Sequence, residues 1–128
     1  MRDFRKIRAW QRAHALAIAL HRLSRGFTRA GHARLRAQLT NAADSIAENI
    51  VEGCGAATNK EFARFLDMSI KSANETEYHL LSSHEHALVS PDDWQKYTAE
   101  TIEVRKMTYM YRKRVLEDDD AISSKAQS

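Results

Sequence analysis

A chain of 128 residues with one proline and four glycines is long enough for one domain and one core, and too poor in chain breakers for a many-turned β fold. Its net charge of +3 and pI near 9.2 make it mildly basic, and its lone cysteine, Cys54, excludes an intrachain disulfide and suits a reducing cytosol. No run of 18 apolar residues occurs, and the Arg-rich start leads into no apolar signal region, so we expect a cytoplasmic protein with no membrane contact.

The first helix is predicted from about Phe4 or Lys6 to about Arg25, with Asp3 as its cap. Ile7, Trp10, Ala13, Ala17, Leu20 and Leu23 form an inward stripe, and Arg5, Lys6, Arg8, Arg12, Arg22 and Arg25 stud the rest. Trp10 reads as a core or interface anchor. His14 and His21 share one side, either as a pH-sensitive pair or as ordinary solvated histidines. Gly26 to Gly31 is a connector, in which Phe27 should plug the end of the bundle.

The second helix should begin near His32 and run to Val51. Its most informative stretch is Gln38 to Gly55, QLTNAADSIAENIVEGCG. Leu39, Ala42, Ala43, Ile46 and Ile50 make an apolar stripe. Beside it run Gln38, Asn41, Ser45, Asn49 and Glu52. Short directional side chains of this kind suit a partly buried contact with a neighbouring helix or subunit, or a ligand-binding stripe. Gly53 and Gly55 are expected to stop the helix through a left-handed turn. Cys54 between them reads as an accessible thiol, but a helix C-terminus does not lower a thiol pKa, so no catalytic thiolate is expected.

Thr58, Asn59, Lys60 and Glu61 form a capping box that starts the third helix. Phe62, Phe65, Leu66, Ser69, Ala73, Thr76 and Leu80 are its inner stripe, and it should persist to about Leu88, about 45 Å. Small residues at Ser69, Ser72 and Ala73 let a neighbouring backbone approach. Ser90, Pro91, Asp92 and Asp93 open the fourth helix. Trp94, Tyr97, Thr101, Val104, Thr108, Tyr111 and Val115 follow at helical spacing. Met107, Tyr109 and Met110 widen the apolar surface beyond one stripe, which suggests a second contact, with another subunit. Arg112, Lys113 and Arg114 are placed in the last turn, against the negative helix end. Residues 118–128 read as a disordered acidic and polar tail. The expected fold is all-α: an antiparallel up-down-up-down four-helix bundle over residues 1–117.

The charge is uneven. Residues 1–60 hold eleven Lys and Arg against four Asp and Glu, a net of +7, and residues 61–128 nine against thirteen, a net of −4. The basic half can meet nucleic acid, an anionic surface, or the acidic half of its own fold. Arg5, Arg8, Arg12, Arg34 and Arg36 are candidates for phosphate contacts, since the guanidinium fork matches phosphate oxygens. No Glu-x-x-His pair supports a di-iron centre. His79 and His86 lie about 10 Å apart along the axis, too far for one metal without outside ligands. There is no dinucleotide fingerprint, phosphate loop or nucleophile elbow. Neither a catalytic site, a cofactor nor a metal is expected.

The residues also carry a resemblance. Phe4 and Ile7 before Trp10-Gln11 and Ala13-His14 are the first part of it, followed by Phe27 eight residues before Leu35. Then come Gln38-Leu39, Ala42-Ala43, Ser45-Ile46, Asn49-Ile50 and Glu52-Gly53, and later Glu61-Phe62, Phe65-Leu66, Ser72, Glu75 and Glu77. Over about residues 4 to 116 the chain resembles bacterial four-helix bundle proteins of the 23S rRNA intervening-sequence type. Their relatives include the accessory variability determinant of diversity-generating retroelements. The chain departs from that pattern at Asn41, often arginine there, and at Ala47, often proline. The resemblance implies an antiparallel bundle assembling into a homopentamer, with no established enzymatic activity. Its retroelement relatives bind nucleic acid and a reverse transcriptase. The expectation is therefore a non-enzymatic homopentameric scaffold, with RNA or DNA as partner. The alternative is a protein-interaction module that uses the polar stripe and the Trp94–Tyr97 surface, with an unidentified protein partner and no nucleic acid.

Overall fold

A computed structural model describes residues 2–127, with side chains described over 2–118. A 3-10 turn, Phe4–Lys6, precedes four helices: α1 (Arg8–Leu23), α2 (Ala33–Cys54), α3 (Asn59–Glu85) and α4 (Pro91–Gln127). α1 packs on α2 and α4, and α3 packs on α2 and α4, with no diagonal contacts among the described residues. Each pairing is antiparallel. Partnered residue numbers rise on one helix as they fall on the next, as in Ser45–Ser72 and Gly53–Phe62, or Glu77–Arg105 and Asp67–Arg112. This is the expected up-down-up-down bundle.

The core is built from Leu16, Leu20, Leu39, Ile46, Ile50, Phe62, Leu66, Leu80 and Val104. Buried hydroxyls thread through it, and most turn back on their own helix. Thr40, Thr76, Thr101 and Thr108 each donate to the carbonyl four residues earlier, which satisfies them without a cross-helix partner. Ser69 instead donates across to the Ile46 carbonyl at 2.8 Å, which draws α3 close to α2. Phe27 is buried at the end of the bundle, as expected. Its N–H donates to Ser24 O and its carbonyl accepts from His32 N.

Several boundaries and faces differ from the sequence reading. The first helix is interrupted at Ile7, which is extended (φ −86, ψ 117), and Asp3 caps the 3-10 turn rather than α1. α1 ends at Leu23. Its buried stripe includes Ala9 and Leu16, while Trp10 is half-buried, stacked on His14 at 4.9 Å with Phe4 edge-on at 4.8 Å. α3 ends three residues before Leu88, with Ala87 in the left-handed region (φ 60) and the Leu88 N–H returning to Ser83 O. That turn usually takes glycine, so no composition cue marks it. α4 continues beyond Arg112–Arg114, so these cations do not neutralise a helix end. The tail reading of 118–128 falls, beyond Asp118, outside the residues whose side chains are described.

Gly53 is the main correction. It lies inside α2, not past its end, and Gly55 caps the helix in a right-handed conformation (φ −87). Gly53 is needed for space. A Cβ there would sit 2.5 Å from the Phe62 ring. Cys54 is buried rather than accessible, and burial pushes its thiol pKa up, with the Arg2 charge opposing. Its alkylation at mildly alkaline pH is therefore expected to be at least about tenfold slower in the folded protein than in urea. Equal rates, followed by mass spectrometry, would mean that the α2 end is open.

Candidate nucleic-acid interface

The polar stripe of α2 separates into two sets. Gln38, Asn41 and Glu52 are exposed, while Ser45 and Asn49 are half-buried. Asn49 Nδ2 donates to Ser45 O and Oγ, and Ser72 Oγ donates to Ser45 Oγ at 2.9 Å. These two residues thus help hold α2 to α3. Trp94 is stacked face to face on His84 at 4.3 Å, and Tyr97 packs against the core with Lys96 over its ring. Both are half-buried within the chain.

The five candidate arginines are not brought together. Arg34 and Arg36 are on the first turn of α2, beside the connector. Arg34 is exposed, while Arg36 is half-buried with its Nε lacking a hydrogen-bond partner among the described residues. Arg5, Arg8 and Arg12 lie at the opposite end of the bundle, since α1 runs antiparallel to α2. Arg5 lies over the Phe4 ring, with Asp3 3.6 Å away.

Arg8 and Arg12 line a groove of about 790 Å³ along the α1–α4 seam. Local folding of the N-terminal segment makes its wall. Asp3 accepts from the Arg5 N–H, Gln11 Nε2 donates to Arg5 O, and the Arg2 N–H reaches Cys54 O at 3.4 Å. These bonds hold Arg2 and Lys6 beside the first turn of α1, facing Glu103 to Arg114 of α4. The lining has six cations, Arg2, Lys6, Arg8, Arg12, Lys106 and Arg114, against two acids, Asp3 and Glu103. Its apolar part is Ile7, Ala9, Met107, Met110 and Tyr111.

One of those cations is already engaged. Arg12 donates to both carboxylate oxygens of Glu100, at 2.7 and 2.8 Å, and approaches Met107 Sδ at 3.8 Å. The hydrogen bond and charge of Glu100 raise its pKa further, so it is a permanent, paired ion bridging α1 and α4. Arg2 lies over the Phe62 ring at 4.9 Å. Arg2, Lys6, Arg8, Lys106 and Arg114 make no salt bridge among the described residues. Half-burial raises the pKa of Tyr111, which meets Phe62 edge to face at 5.8 Å.

Sequence reasoning missed Lys106 and Arg114. Along the sequence Arg114 reads as an end-neutralising charge and Lys106 carries no distinguishing signal, and only the closing seam sets them in the same groove as Arg8. Arg112, in the same basic triplet, pairs with Asp67, with Nε 2.6 Å from Oδ1 but off the line of its N–H.

A second surface lies along α3 and α4. Tyr78, Leu81, Trp94 and Thr98 border one hollow, and Ile70, Tyr109 and Met110 another. Tyr78 is 63% exposed and Tyr109 56%. Elsewhere the histidines do not converge. His79 is half-buried, and desolvation lowers its pKa against the charge of Glu75. His86 instead meets the His32 ring at 5.3 Å. No group of three or more metal-ligating side chains forms among the described residues, and no helix there is long and apolar enough to cross a membrane.

The fold is similar to that of a protein of unknown function from the S23 ribosomal protein family of Bacteroides thetaiotaomicron. The two share 20% identity at a TM-score of 0.76, over 82% of this chain and 95% of that one. No curated protein matches the chain. The family model for 23S rRNA-intervening sequence proteins matches residues 5–110, and the chain belongs to that family.

Proposed function

We propose that this chain is a non-catalytic cytoplasmic scaffold, a homopentamer of helical bundles that holds nucleic-acid backbone in the α1–α4 groove. The observation that carries the reading is the set of five cations on that groove without a salt-bridge partner among the described residues. Repeated around an assembly, such a set makes a strong field for phosphate. Kinship with the retroelement accessory determinant belongs to the same reading. Exposed apolar side chains outside the groove, Met68, Tyr78, Leu81 and Tyr109, supply surface for self-association.

Two measurements test it. Binding to a mixed nucleic-acid probe should weaken with salt, with a log–log slope on the order of −2 to −4, and Arg8→Ala should flatten that slope by about one unit. A slope of zero rejects nucleic acid as the partner. Sedimentation equilibrium should give a mass several times 14.6 kDa, and a monomer at high concentration rejects the assembly. The apolar α3–α4 face also supports the alternative, a protein-interaction module without nucleic acid. Partner capture that survives nuclease treatment, together with a flat salt response, would favour it.

A further inference from the structure

We infer that the α1–α4 groove selects single-stranded nucleic acid, with phosphates on its basic rim and bases against its apolar floor. This rests on the nucleic-acid reading above and goes further, because rim and floor ask for different things.

The rim asks only for negative charge. Lys6, Arg8, Lys106 and Arg114 are exposed along it. Two acids, Asp3 and Glu103, also line the groove, and Asp3 accepts from the Arg5 N–H. Any phosphate backbone meets this requirement.

The floor is the discriminating part. Met107, Met110 and Tyr111 line the same groove as these cations, and Met110 is 48% exposed. A duplex keeps its bases stacked inside and offers such a groove only phosphate and sugar, so the floor would stay wet. A single strand turns base faces and phosphates to different sides, and aromatic and apolar surfaces between cations are what it uses. Methionine adapts to whichever base arrives, so little sequence preference is expected. The α4 side of the groove, from Glu103 to Arg114, is about 17 Å long at 1.5 Å per residue, enough for several nucleotides.

The test uses the full chain at low salt with three labelled probes of equal length: a thymidine oligonucleotide, a duplex, and an abasic strand with the same phosphates. Anisotropy titrations should show the thymidine strand binding at least about tenfold tighter than either of the others. Met110→Ala, at an exposed side chain that does not threaten the fold, should shrink the thymidine-over-abasic ratio several-fold and leave the salt slope unchanged. Equal or tighter duplex binding, or an abasic strand that binds as well as thymidine, overturns the single-strand inference and leaves the nucleic-acid reading standing. An unchanged ratio in Met110→Ala overturns the role of the floor. Absence of binding to all three probes overturns both readings.

Discussion

Gly53→Ala is expected to destabilise the bundle by about 2 kcal/mol, and Gly53→Val by more. Two effects compete. Alanine in a helix interior is favoured over glycine by about 1 kcal/mol, and Gly53 is a helical residue. Against this, the new Cβ would lie 2.5 and 2.7 Å from two Phe62 ring atoms and 3.0 Å from the Phe65 Cβ. Phe62 is 1% exposed, with Tyr111 on its edge and Arg2 over its face, so the ring has nowhere to swing. The helices must part or the ring must leave its rotamer, and overpacking of that kind costs about 1–3 kcal/mol, occasionally more. The steric cost therefore wins. Urea unfolding should show a lower midpoint with an unchanged slope. In a Phe62→Leu background the alanine penalty should fall by more than half. A Gly53→Ala protein as stable as the parent would remove close α2–α3 packing as the reason for this glycine.

What could be seen in advance follows from how local each cause is. The starts of α3 and α4 were legible because caps act within one turn. Thr58 Oγ1 accepts from the Glu61 N–H, Glu61 returns to the Ala57 N–H, and Ser90 Oγ accepts from the Asp93 N–H. The 3-10 break at Ile7 was not legible, since neither glycine nor proline marks it. Trp10 drew the predicted stripe of α1 toward itself, but its flat ring lies at the rim on Phe4 and His14, while Ala9 and Leu16 take the interior. Gly53 shows the limit most plainly. A helix-ending glycine and a close-packing glycine look alike along the chain, and only Phe62 on the next helix distinguishes them. The groove is less local still. Arg8 was legible as a charge, but Lys106 and Arg114 join it only once α4 closes against α1, a contact between the two most distant helices in sequence.

Phe27→Ala should cost about 3 kcal/mol, the lower part of the range for a buried phenylalanine. The ring is 2% exposed and belongs to the main core cluster, although it sits on the connector between α1 and α2. The loss has two parts, the transfer energy of the ring and the void it leaves. Because the site is at the end of the bundle, the connector can settle partway into the void, which places the cost below that of a central deletion. Full collapse is opposed by the backbone. The Phe27 N–H and carbonyl are both bonded, to Ser24 and His32, and Gly31 holds a left-handed φ of 85 that closes the turn. Phe27→Leu keeps most of the volume and should lose less than about 1.5 kcal/mol. A melting point lowered by on the order of 10 °C in the alanine protein, largely recovered by leucine, fits a side chain that seals one end of the core. A melting point unchanged in Phe27→Ala would mean that the connector carries no packing, and that α1 and α2 are held only by their own facing residues.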